Sequence, residues 1–95
     1  MWFVICFDIA DDRRRYKAVR VLEGSRAVRV QESVFEAPSL EPAAFLRLRS
    51  RLERELDAAE DSVRYYALCG ACAGRMEHHG VGVGILQGPT GFKVL

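Results

Sequence analysis

The run Trp2-Phe3-Val4-Ile5-Cys6-Phe7-Asp8 places one carboxylate at the end of an otherwise apolar stretch, and Asp11-Asp12-Arg13-Arg14-Arg15 follows closely. A buried ionisable group is costly unless it is paired or holds a metal. Asp8 is therefore the first candidate for chemistry. The competing reading is a strand-end carboxylate that caps the next turn or pairs with a nearby arginine. Basic residues are concentrated just beyond it: between Arg13 and Arg29 there are seven Lys or Arg and one acidic residue, Glu23. That local excess attracts phosphate although the whole chain carries a net charge of only +1. On charge alone, a solvated helix face is the simpler account. A second constellation, Cys69-Gly70-Ala71-Cys72 with His78 and His79 nearby, has the spacing of half a zinc site. Adjacent histidines do not easily serve one ion, and the usual context of a redox dithiol is missing. Free thiols at a turn are expected there, and Cys6 is expected in the core.

These residues must be positioned by one small domain, since the chain has 95 residues. A hydrophobic content of 49% with 28% charged residues fits a folded chain rather than a disordered one. Nothing approaches the length of a membrane span. The opening apolar run is short and lacks a basic leader, and three cysteines are an odd number for a disulfide framework, so a cytoplasmic protein with reduced thiols is expected.

Aromatic and β-branched residues from Trp2 to Ile9 predict a strand. Asp11 or Asp12 suits an N-cap, and the following helix should run to about Glu23 and stop at Gly24 in the left-handed position. Tyr16, Ala18, Val19 and Leu22 would form its apolar face, and Arg15, one turn before Val19, leans towards the sheet. Arg26 to Val30 and Glu32 to Ala37 predict two more strands. Pro42 suits a first helical position, and Phe45, Leu48, Leu52 and Leu56 define the buried stripe of a helix ending near Asp57. Its outer face should be salt-bridged, as by Arg49 with Glu53. Val63, Tyr65 and Ala67 alternate with Arg64, Tyr66 and Leu68 in a fourth strand from Ser62. Cys69 to Gly74 predicts a turn. Val81, Val83 and Ile85 alternate with glycines, which allows only a weak fifth strand.

Strand, helix, strand, strand, helix, strand is the order of a ferredoxin-like βαββαβ fold of the α+β class. The domain would span 1–79, with a glycine-rich tail over 80–95. Phe3, Ile5 and Phe7 lie on one side of the first strand and Trp2, Val4 and Cys6 on the other. The helices cover only one side, so a second copy of the chain is the expected cover for the open sheet face, helped by the tail strand.

The motif Phe7-Asp8-Ile9-x-Asp11-Asp12, the arginine-rich first helical turn and Arg29-Val30-Gln31-x-Ser33-Val34-Phe35-Glu36, together with Glu60 to Cys69, resemble the CRISPR-associated protein two family. The likeness covers about residues 2 to 78. It implies a ferredoxin-like homodimer and a metal-dependent nuclease activity on single-stranded RNA or double-stranded DNA. It also implies a bridging role, in which the dimer binds duplex backbone and holds the adaptation integrase during spacer acquisition. The family's metal-binding aspartate carries over to Asp8, its first-helix basic residues to Arg15 and Lys17, and its strand residues to Arg29, Ser33 and Phe35. This chain has Phe7 where many members have tyrosine, and Lys17 where arginine is frequent. On this basis Mg²⁺ or Mn²⁺ would be shared by two Asp8 carboxylates across a twofold axis. Arg15 and Arg29 would hold phosphate, and Ser33 would orient water or phosphate. Arg13, Arg14, Arg15, Lys17 and Arg29 would contact nucleic acid. Glu36 is an additional candidate ligand. A salt bridge from Arg15 to Asp11 or Asp12, and an exposed strand position for Arg29, are the competing structural roles. A ferredoxin-like regulatory domain is the remaining functional alternative.

Overall fold

A computed structural model describes residues 1–87. Its elements run β1 (Trp2–Asp8), α1 (Asp12–Gly24), β2 (Val28–Gln31), β3 (Val34–Ala37), α2 (Pro42–Arg54), β4 (Ser62–Leu68) and a short α3 (Gly70–Ala73). The four strands form one sheet in the order β2-β3-β1-β4, with every neighbouring pair antiparallel. This is the ferredoxin-like arrangement.

Strand parity sorts the side chains. Phe3, Ile5 and Phe7 face α1 and α2 and join Ala18, Leu22, Phe35, Leu48 and Leu52 in the buried core. Ile5, Leu22, Phe35, Leu48 and Leu52 are its largest fully buried members, each contributing about 1.5–3 kcal/mol by leaving water. Phe45 from α2 stacks on Phe3 at 4.0 Å between ring centroids and meets the edge of Tyr65 at 5.4 Å, tying α2 to both β1 and β4. The stripe expected on α2 is present, and so is the Arg49–Glu53 pair, at 3.6 Å.

Several local expectations are corrected. Tyr16 is 61% exposed rather than on the apolar face of α1; its hydroxyl accepts from Arg20 at 2.9 Å. The buried stripe there consists of Ala18 and Leu22, flanked by Val19 and Val21. α1 also includes Gly24, and the left-handed residue is Arg26, at φ 65°. The Ala27 amide donates to the Leu22 carbonyl (3.2 Å) and the Arg26 amide to that of Glu23 (3.4 Å). These are the paired bonds of a Schellman ending, set two residues later than the glycine suggested. Ala27 and Leu22 both reach the core, so apolar packing fixes where the helix ends. β3 starts later than expected because Glu32 and Ser33 form the turn before it, and β2 starts only at Val28 because Arg26 and Ala27 close the end of α1.

The segment after β4 is not a turn followed by a strand. Cys69 caps the helical turn α3. Gly80, Gly82 and Gly84 adopt φ of 100°, 125° and 73°, so residues 81–85 bend instead of pairing. The remainder of the expected fifth strand, 88–95, lies outside the described residues. Nor is the second sheet face wholly bare. Met76, His78, Val83 and Ile85 line a depression with Val30, Val34 and Glu36. Trp2 and Ala73 are buried outside the helix-side core. The chain thus covers part of the open face itself. No helix among the described residues is long and apolar enough to cross a membrane.

Candidate nuclease centre and nucleic-acid interface

Asp8 ends β1 opposite Ser62 of β4, on the side of the sheet away from the helices. It is exposed. Its carboxylate stands in none of the hydrogen bonds or ion pairs formed among the described residues. Neither the turn-capping role nor an arginine pairing is seen: Asp11 caps α1, accepting from the Arg14 amide at 2.9 Å.

Asp8 lines a depression of about 240 Å³ with Phe7, Ile9, Arg15, Glu32 and Ser33, enough for several waters or a phosphate. Three elements build it. The end of β1 brings Asp8, the first turn of α1 brings Arg15, and the β2–β3 turn brings Ser33. That turn is held against the strand because the Phe7 amide donates to the Ser33 carbonyl at 3.0 Å. The Arg15 guanidinium donates to the Ile9 carbonyl at 3.0 Å and pairs with Asp12. Asp12 is 94% exposed, so this pair is screened by solvent and easily exchanged for another anion.

The other proposed residues fall into different places. Arg29 is not in the depression. It projects from the helix side of edge strand β2, over the Phe35 ring at 5.7 Å, and donates twice to the Glu32 carbonyl at 2.9 and 2.6 Å. It therefore shapes the turn that carries Ser33. Phe35 is fully buried. Glu36 accepts from the Trp2 indole at 3.0 Å and sits opposite Val4, four residues along β1 from Asp8, so it is no partner of Asp8. Arg14 is committed elsewhere. Its Nε and Nη2 donate to Asp61 at 2.8 and 3.2 Å, and Nη2 also reaches Glu60 at 3.0 Å. Arg13 and Lys17 are exposed, and with Arg20 they form a row at helical spacing on the outer side of α1. Arg20 was not among the residues singled out from the sequence, although its four-residue and three-residue offsets from Tyr16 and Lys17 could have indicated it.

Asp61 is the residue the sequence reading missed. Its side chain has no exposed surface. Besides Arg14, it accepts the amide N–H groups of Ala10 (3.0 Å) and Asp57 (2.9 Å). The Arg14 guanidinium, followed by the Asp57 amide, holds its carboxyl well below the usual range. One carboxylate thus ties the loop after β1, the first turn of α1 and the approach to β4. The loop it holds begins just after Asp8.

The donors suit a hard divalent cation in part. Mg²⁺ takes oxygen ligands, keeps several waters and often binds only one or two carboxylates. Asp8 supplies one, with an alcohol from Ser33 beside it. Among the described residues no three His, Cys, Asp or Glu cluster in ligating range; the acids that line the depression are Asp8 and Glu32.

Residues 1–76 match the family described as CRISPR associated protein Cas2. The chain is 42% identical over 94 residues to the CRISPR-associated endoribonuclease Cas2 3 of Chloroflexus aurantiacus, covering 99% of this chain and 98% of that one. The fold superposes on the crystal structure of Streptococcus pyogenes Cas2 with a TM-score of 0.72 and 29% identity, over 84% of this chain and 100% of that one. It also superposes on a chain of a partial Cas6-RT-Cas1–Cas2 complex with a TM-score of 0.70 and 30% identity, over 93% of each.

Proposed function

The chain belongs to the CRISPR-associated Cas2 family, and from that premise we propose that it works in CRISPR adaptation as a homodimer that grips nucleic-acid backbone and hydrolyses phosphodiester bonds at a site built around Asp8. The observation that carries this reading is the unpaired Asp8 carboxylate sharing a depression with Arg15 and Ser33. A carboxylate with no hydrogen-bond partner among the described residues, next to a guanidinium and an alcohol, is available to a cation while its neighbours are available to phosphate.

Asp8 would hold Mg²⁺ or Mn²⁺ together with its twofold mate. Two such acids repel each other without a cation, which favours binding. When bound, the ion supplies a polarised phosphoryl oxygen and a hydroxide. Arg15, anchored through one nitrogen on the Ile9 carbonyl, exchanges exposed Asp12 for a substrate phosphate and stabilises charge developing on it. Ser33 orients a phosphate oxygen or a water. Arg29 acts at one remove by fixing the Glu32–Ser33 turn. The substrates are single-stranded RNA or double-stranded DNA, recognised through phosphate.

A scaffolding role rests on a separate observation, the exposed row Arg13, Lys17 and Arg20. Backbone contacts of this kind position a duplex without reading its sequence. They suit a dimer that bridges two copies of the adaptation integrase on an arbitrary fragment.

The test uses purified protein and Asp8→Asn. Metal-dependent cleavage of RNA or DNA should disappear while light scattering still reports a dimer. Undiminished cleavage by Asp8→Asn, or a wild-type monomer at micromolar concentration, would reject the shared site. Reversing charge at Arg13 and Lys17 should abolish duplex binding and leave cleavage of short RNA intact; retained duplex binding would reject the scaffold.

A further inference from the structure

Cys69 and Cys72 take no part in the site described above. Both are exposed, whereas Cys6 is half-buried on β1. Cys69 immediately precedes α3 and Cys72 lies on its first turn, so the two are three residues apart on the same side. The Cys69 sulfur accepts the Cys72 amide N–H at 3.4 Å. That amide, and after it the Cys72 thiol, draw the Cys69 thiol below its ordinary range, while the contact between the sulfurs pushes Cys72 up. One sulfur is therefore the readier nucleophile and the other keeps its proton longer.

The surroundings favour thiol chemistry over metal binding. No third ligand from His, Cys, Asp or Glu joins the pair among the described residues, and the His78 ring is bonded to the Val81 carbonyl at 3.1 Å. Cys69 is the extended N-cap of α3, and its sulfur is turned over the helix start onto the Cys72 amide, on the side where a disulfide to Cys72 would form.

We propose that Cys69 and Cys72 form a redox-closable dithiol whose oxidant is a low-molecular-weight disulfide, with Cys69 attacking and Cys72 resolving. The Cys69 thiolate attacks one sulfur of the small disulfide. The small S–S bond breaks, and one small thiolate leaves and takes a proton. Cys72 then loses its proton to solvent and attacks the Cys69 sulfur, expelling the second small thiolate. Two protein thiols become one internal disulfide, and the small disulfide gains two electrons to become two thiols. Excess reductant reverses the sequence. The closed bond locks the turn through which the chain passes from β4 to the segment beneath the sheet.

The experiment treats the full chain with oxidised glutathione and follows intact mass and peptide maps. The wild type should lose two hydrogens, with the new bond inside the 69–72 peptide and Cys6 unmodified. Cys72→Ser should stop with one glutathione on Cys69. Cys69→Ser should react at Cys72 more slowly than Cys72→Ser reacts at Cys69, because only the Cys69 sulfur accepts a backbone amide N–H, that of residue 72, which the serine variant keeps. Accumulation of a glutathione adduct on the wild type, disulfides only between chains, or equal reactivity of the two variants would overturn the proposal.

Discussion

Asp8 and Asp61 occupy the same end of the sheet, one closing β1 and the other immediately preceding Ser62, its partner on β4. Their environments are opposite. Asp61 has no exposed side-chain surface and accepts four hydrogen bonds, two from Arg14 and two from backbone amides. Asp8 is exposed and accepts none among the described residues. Residue type and location are nearly equal, so the number of satisfied donors separates an acid that builds the corner from an acid free to do chemistry. The first holds the loop from which the second projects.

Substitutions at the two positions should therefore fail in different ways. The largest expected effect is on activity. Asp8→Ala should lower metal-dependent cleavage by about 100-fold or more while the melting temperature stays within roughly 2 °C of wild type. A steady-state cleavage assay paired with calorimetry reads both. Asp61→Ala should act in the opposite sense. It removes the partly buried Arg14 contacts and leaves the exposed Ala10 and Asp57 amides to water, and the melting temperature should fall by roughly 5 °C. Cleavage by the folded fraction at low temperature should fall much less than in Asp8→Ala.

Acid sharpens the contrast. The folded-state pKa of Asp61 is depressed, so its contribution to stability is fully present above the unfolded value of about 4 and is lost as pH falls towards the lower folded value. Chemical denaturation between about pH 5 and pH 2 should show the wild type losing more stability than Asp61→Asn across that window; parallel curves would break the argument. Arg15→Ala should reduce cleavage about tenfold with a small loss of stability, because its ion-pair partner Asp12 is exposed and only the Ile9 carbonyl loses a partly buried donor. The smallest effect should come from a corner with strain and no proposed chemistry. Arg26→Gly relieves the left-handed backbone at φ 65° and should stabilise the domain by about 0.5 kcal/mol in denaturant titrations.

The contrast also marks what a sequence can convey. The strands, the two long helices and their order follow from periodicity: β4 spans Ser62–Leu68 with the expected alternation, and α2 buries Leu48 and Leu52. Asp8 was legible because a lone acid in an apolar strand stands out. Asp61 was not, because its meaning depends on Ala10 and Arg14, which are about fifty residues away in the chain. Arg14 looked the same as Arg13 in the sequence, and only the neighbouring β4 corner separates a structural guanidinium from a solvated one. Arg26 rather than Gly24 takes the left-handed position after α1 because burying Ala27 beside Leu22 outweighs the cost of a left-handed arginine. Residues 81–85 alternate like a strand, yet their glycines take positive φ and bend the chain.

Metal titration of the intact protein tests the central claim most directly. If two Asp8 carboxylates share one ion across a twofold axis, calorimetry with Mn²⁺ should give one site per pair of chains in the wild type and none in Asp8→Asn. Equal binding by both proteins, or one independent site on every chain, would contradict it.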